Sequence, residues 1–115
     1  MSKYVKKISK FAIPVKDGDY EFNNAPKNLN ILYNNGNTVS NVIYYEYIYD
    51  EEKGQPETTK YYFKVVTVED KNDIEVPLSY NFVCAIKDGT AVHFIYSYSP
   101  GDAVFGKFMD MFGGF

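Results

Sequence analysis

The chain has 115 residues, one domain's worth, with 45% hydrophobic residues, 18% aromatic and a net charge of -3. That composition excludes a disordered chain, a coiled coil and a collagen-like fibre, and the single cysteine excludes an internal disulfide framework. All twelve basic side chains besides His93 are lysines, so the guanidinium fork that reads phosphate or guanine is missing.

Residues 3–13 mix lysines with Val5, Ile8, Phe11 and Ile13, and Pro14 holds the preceding residue extended, which predicts a strand. Lys16-Asp17-Gly18-Asp19 signals a turn, followed by a short strand at Tyr20–Phe22 and a loop from Asn23 to Asn28 around Pro26. Leu29, Ile31 and Tyr33 alternate along a third strand. Asn34-Asn35-Gly36-Asn37 supplies the Asn-Gly pair of a tight hairpin.

From Thr38 to Asp50 the period is two. One face carries Val39, Ile43, Tyr45, Tyr47 and Tyr49, and the other Val42, Tyr44, Glu46 and Ile48. After a polar loop over 51–58, Thr59–Val68 forms the next strand. The short loop predicts that it pairs with the strand before it. Residues 69–73 read as an acidic loop and 75–78 as a short extended piece. Tyr80, Phe82, Cys84 and Ile86 then alternate on one face, and Lys87-Asp88-Gly89 turns the chain into a last strand, Ala91–Tyr98. The expected fold is all-β, over residues 1–100. It is a small antiparallel sandwich or partly open barrel of six to seven strands.

Residues 101–115 break this pattern. Phe105, Phe108, Met109, Met111, Phe112 and Phe115 make an apolar tail, or a short helix with Asp102 as its cap. Three readings follow from these residues: a plug on the sheet, a homo-oligomeric contact, or a docking peptide. Phe108-Met109-Asp110-Met111-Phe112 resembles the C-terminal peptides with which phage and bacterial replication proteins bind the sliding clamp. Phe108 stands where the bacterial form usually has glutamine.

Catalysis is hard to assemble here. His93 is the lone histidine and reads as a structural hydrogen-bonding residue. Cys84 reads as a small buried hydrophobe, although the two could face each other across the last hairpin. Asp17-Gly18-Asp19-x-Glu21 lacks the ligand spacing of a calcium loop. No cofactor or metal is expected, and the chain is expected not to be an enzyme. The lysines at 3, 6, 7, 10 and 16 precede the first acid. The other seven face fifteen carboxylates, which argues against nucleic acid as a partner. Tyr45, Tyr47 and Tyr49, with Phe105, Phe108, Met109, Asp110, Met111, Phe112 and Phe115, are the candidate protein-binding residues. The first fifteen residues predict no secretory signal and no segment predicts a membrane span, so the expected setting is cytoplasmic.

Three segments carry a family resemblance: Ile13-Pro14-Val15-Lys16-Asp17, the turn into a strand from Pro26 to Tyr33, and Asp88-Gly89 followed by Val92-His93-Phe94. In this order they resemble a family of small tailed-phage proteins of unknown function, over roughly residues 5–98. The chain lacks that family's tryptophans and its Gly-Thr-Gly-His loop, and it adds the tail. The resemblance implies a phage origin and the infected cell's cytoplasm, with no activity to carry over.

Overall fold

The computed structural model describes residues 2–69 and 73–100. Its strands are β1 (Tyr4–Pro14), β2 (Gly18–Pro26), β3 (Asn30–Gly36), β4 (Ser40–Asp50), β5 (Thr58–Val68), β6 (Asn81–Asp88) and β7 (Ala91–Tyr98). They form two antiparallel sheets, one of three strands in the order β1-β4-β3 and one of four in the order β2-β5-β7-β6. The sheets are separate, so the architecture is a sandwich and not a closed barrel. A helix or tail at residues 101–115 lies outside the described residues.

The predicted strands are present, with two extensions. β2 runs through Pro26, past the expected loop, because a register shift between Phe22 and Ala25 absorbs Asn23 and Asn24 and returns Ala25 to the core. Proline is tolerated there because β2 is an edge strand whose other side needs no donor. The β3–β4 turn falls later than the Asn-Gly pair. Asn37 carries it: its side-chain oxygen accepts the N–H groups of Val39 and Ser40 at 2.8 and 2.9 Å.

The expected pairing of β4 with β5 does not occur. β4 is the central strand of its sheet, with β1 on one side and β3 on the other, and β5 lies between β2 and β7 in the second sheet. The connecting residues turn the chain from one layer to the other. Asp50 caps a 3-10 turn at Glu51–Lys53 by accepting the Glu52 N–H at 3.1 Å, and Gly54 follows with φ +94°. A side chain at Gly54 would be strained in that left-handed conformation. A short loop is thus a corner between layers and not a hairpin.

Asp50 also accepts the Lys3 N–H at 3.0 Å, tying the start of β1 to the end of β4. The Lys3 amide first, then further hydrogen bonds including that of Glu52, hold its carboxyl below the ordinary range against the opposing effect of burial. Stability from this carboxylate is present above the ordinary aspartate value of about 3.9 and is lost as pH falls through the depressed folded value. In an acid titration followed by NMR, the Lys3 and Glu52 amide shifts should therefore move together below about pH 3.9. Asp50→Asn should abolish that joint movement.

The core lies between the layers. Phe11, Ile13, Ile43 and Tyr45 come from the three-stranded sheet, and Tyr61, Phe63, Val65, Cys84 and Ile95 from the other. The Phe11 ring is the main link between them. It sits 4.5 Å from Tyr45 in its own layer and 4.8, 5.2 and 5.1 Å from Phe22, Tyr61 and Phe63 across the interface. Each such buried aromatic contributes about 1.5–3 kcal/mol of transfer free energy.

The β6–β7 hairpin closes as expected, Asp88 opposite Ala91 with Gly89 at φ +63°. Phe82 and Cys84 do not share a face. A register shift between them sends Phe82 outward opposite Tyr96 and Cys84 inward opposite Ile95. Because β5 and β6 are each antiparallel to β7, they run parallel to one another, and the chain between Val68 and Asn81 returns the length of the sheet.

Candidate functional site

The two faces of β4 are now distinguishable. Its register with β1 places Phe11 opposite Ile43 and Ser9 opposite Tyr45, so Phe11, Ile13, Ile43 and Tyr45 point into the sandwich, while Lys7 and Ser9 at the other end of the same side are exposed. Tyr45 is 6% exposed and stacked on Phe11, so it belongs to the core and offers no binding surface, contrary to the sequence expectation. Tyr47 and Tyr49 continue the same ladder at ring separations of 6.1 and 5.9 Å and are half-buried. The Lys7 ammonium lies 5.5 Å from the Tyr49 ring centre, a cation–π contact that closes the open end of the row. Phe105, Phe108, Met109, Asp110, Met111, Phe112 and Phe115 lie outside the described residues.

The even-numbered positions make the outer face of the three-stranded sheet, and this surface is apolar. Tyr4 and Ile8 are each 66% exposed, Ile48 59% and Tyr33 63%. Register puts Lys6 opposite Ile48 and Ile8 opposite Glu46, so Ile48 lies within diagonal reach of both Tyr4 and Ile8. Tyr33 and Tyr44 extend the patch, their rings 6.2 Å apart. Lys6 and Glu46 pair at 3.7 Å within it, and Lys10 stands at its edge. At the Tyr4–Ile48 end the patch opens into a shallow cleft of about 310 Å³, lined also by Tyr49, Lys27, Lys53 and Pro56.

Four of these residues escaped the sequence reading. The signal was present in Tyr4-x-Lys6-x-Ile8-x-Lys10, where hydrophobic side chains share a strand face with lysines. A buried face would not carry those lysines, so the pattern marks exposed apolar side chains.

A polar cluster closes one end of the interior. The Thr67 hydroxyl donates to the Asp17 carboxylate and lies 2.7 Å from His93 Nδ1. A hydroxyl has one proton, and here Asp17 receives it, so Nδ1 is the donor to the threonine oxygen. His93 Nε2 then faces Asp88 at 3.6 Å, without a hydrogen-bond partner. The imidazole is oriented by Thr67, whose hydroxyl proton is committed to Asp17. Cys84 pairs opposite Ile95 and Ile86 opposite His93, so the conceivable Cys–His pair does not form. The Cys84 sulfur instead accepts the Asn41 amide at 3.2 Å.

Burial pushes the Cys84 thiol above its usual value, and the Asn41 N–H acts in the opposite sense. The native thiol should react with an alkylating reagent roughly 10³-fold or more slowly than in the unfolded chain, because reaction requires opening of the core. Stability should also fall as pH rises above about 8.5, since the unfolded chain loses this proton first. Labelling at the unfolded rate would show that the site is open.

The chain matches no protein-family model, no curated protein and no solved structure. Among the described residues no group of three or more His, Cys, Asp or Glu side chains could hold a metal ion, and no helix is long and apolar enough to cross a membrane. The exposed apolar face of the three-stranded sheet therefore remains the candidate site.

Proposed function

We propose that this chain is a small non-catalytic protein-binding module, an accessory factor of phage origin that acts on a host or phage protein in the infected cell's cytoplasm. One observation carries the binding reading: Tyr4, Ile8, Ile48 and Tyr33, each more than half exposed, gather on one face of one sheet. Apolar side chains grouped in this way mark interaction sites, whereas scattered ones do not. Lys6 is already paired with Glu46, and Lys10 at the edge of the patch suits a partner whose apolar surface is bordered by a carboxylate. The family resemblance supports the phage setting.

The test uses the full chain and a variant carrying Ile8→Lys and Ile48→Glu. Each new charge faces an opposite one, Glu46 and Lys6 respectively, so the sheet should fold unchanged. A partner identified by capture from infected cells, then purified, should bind the variant about 30-fold or more weakly, the loss expected of a central anchor. Undiminished binding would overturn the reading. Self-association of the native chain that the variant loses would replace it with a structural, self-assembling role. Salt-sensitive binding to single-stranded oligonucleotide would replace it with a nucleic-acid function.

A further inference from the structure

Among the described residues the sandwich has four edge strands, β1 and β3 in one sheet and β2 and β6 in the other. An edge presents a row of backbone N–H and C=O groups that a further strand can satisfy, and charge, proline or a bulge ordinarily guards it. β1 carries Lys6, Lys7 and Lys10 and ends at Pro14. β2 carries Asp19 and Glu21, is broken by the shift between Phe22 and Ala25, and ends at Pro26. β3 is broken between Ile31 and Tyr33, and four of its seven residues are Asn or Gly, which are poor strand formers.

β6 is guarded least. From Asn81 to Ile86 it has no charged residue and no proline. Its one irregularity lies at Val83, and from Cys84 to Asp88 its ladder with β7 is regular. Ala85 is exposed, between the buried Cys84 and Ile86, which is half-buried against the core.

The side chains decide what can lie opposite this edge. A second copy of β6, antiparallel about a two-fold axis through Ala85 and normal to the sheet, sets Cys84 of each copy opposite Ile86 of the other. Both point inward, so the core sides of the two copies coincide, as the pleat requires. An axis through Cys84 would instead oppose the outward Phe82 to the inward Ile86. An axis through Ile86 would bring the two Lys87 side chains within diagonal reach, about 7–8 Å. Centred on Ala85, each Lys87 faces Val83 and the two lysines stand roughly 13 Å apart along the strand. The same operation on β1, centred on Ile8, would set Lys6 against Lys10. β6 is thus the edge that can meet itself without opposing like charges.

We propose that β6 is a dimerisation edge, pairing with β6 of a second copy about Ala85 and joining two four-stranded sheets into one of eight strands. Such two-fold pairing uses the same surface on both copies. The two three-stranded sheets then lie on one side of the joined sheet. This inference does not depend on the binding reading, because β6 and the exposed apolar patch belong to different sheets.

Sedimentation of the full chain at about 100 µM, where an interface of micromolar affinity is saturated, should give twice the mass of one chain. Ala85→Lys and Ala85→Glu each place like charges opposite one another on the axis, so each variant alone should sediment as a monomer. Because Ala85 is exposed, neither charge is buried in the folded chain. Mixed in equal amounts, the two variants should recover the dimer. A native chain that stays monomeric, single variants that dimerise as it does, or a mixture that stays monomeric would overturn the proposal. The chain carrying Ile8→Lys and Ile48→Glu should keep this dimer, so failure here and failure of the partner reading are separately visible.

Discussion

Phe11→Ala should lower the folding free energy by about 3–5 kcal/mol, the range for truncating a buried phenylalanine. A domain of this size has about 5–15 kcal/mol in all, so the variant should be largely unfolded in moderate urea. The effect should reach the top of the range because of what the ring joins. It stacks on Tyr45 within one sheet and touches Phe22, Tyr61 and Phe63 of the other, so its removal leaves a void shared by both layers. Large aromatic neighbours cannot easily collapse into such a space. Phe11→Leu, which keeps most of the volume, should cost clearly less. Urea unfolding followed by tyrosine fluorescence would measure both. A loss under about 1 kcal/mol for the alanine variant would mean that the layers are held together elsewhere.

Gly36→Ala should be destabilising although alanine ordinarily improves a strand. The usual gain from restricting the unfolded chain is about 0.5–1 kcal/mol. Against it, a Cβ at Gly36 would stand 2.4 Å from the Asn41 side-chain oxygen and 2.9 Å from the end of Ile86. Asn41 is fully buried and its amide is tied to Cys84, so it has no open space to enter. Forcing an extra methyl into a packed site costs about 1–3 kcal/mol, and that cost exceeds the gain. Asn41→Ala in the same chain should restore part of the loss. The Asn41 oxygen has no hydrogen-bond partner, so its removal relieves the clash, at the cost of the amide nitrogen's bond to sulfur and the packing of a buried side chain. A double-mutant cycle should show a favourable coupling of about 1 kcal/mol or more. Additive losses would place the strain in the backbone instead.

Much of the sandwich was legible in the sequence, and the unread parts have physical reasons. Alternation of side chains located the strands correctly, because it follows directly from the pleat. It divided β4 into two sets without revealing which was inner. Tyr45 and Tyr47 on one side and Tyr44 and Ile48 on the other are similarly apolar, and only the partner strand decides. Phe11 and Ile13 at odd positions of β1 settle it, but that register is a long-range property. The outer patch was therefore sought on the wrong face. The register shift at Phe82 and Cys84 was hidden for a related reason, since Val83 looks like an ordinary strand residue until it is counted against β7. The corner after Asp50 misled through length alone: a short polar loop over 51–58 suits a hairpin, and nothing local shows that both sides of β4 are already taken.

That corner has a consequence for how the molecule is made. Register joins Pro14 to Ser40 and Pro26 to Thr58, so each of the first two strands waits for a partner much later in the chain. At 5–20 residues per second, β1 precedes the end of β4 by roughly 2–7 s during synthesis. Lys3, Lys6, Lys7 and Lys10 keep that waiting strand from joining other chains. The second sheet waits longer still. β7 lies between β5 and β6, so until it emerges β6 has no neighbour and β5 has only β2. A nascent chain stalled before Ala91 would therefore hold one complete sheet faced by the β2–β5 pair alone.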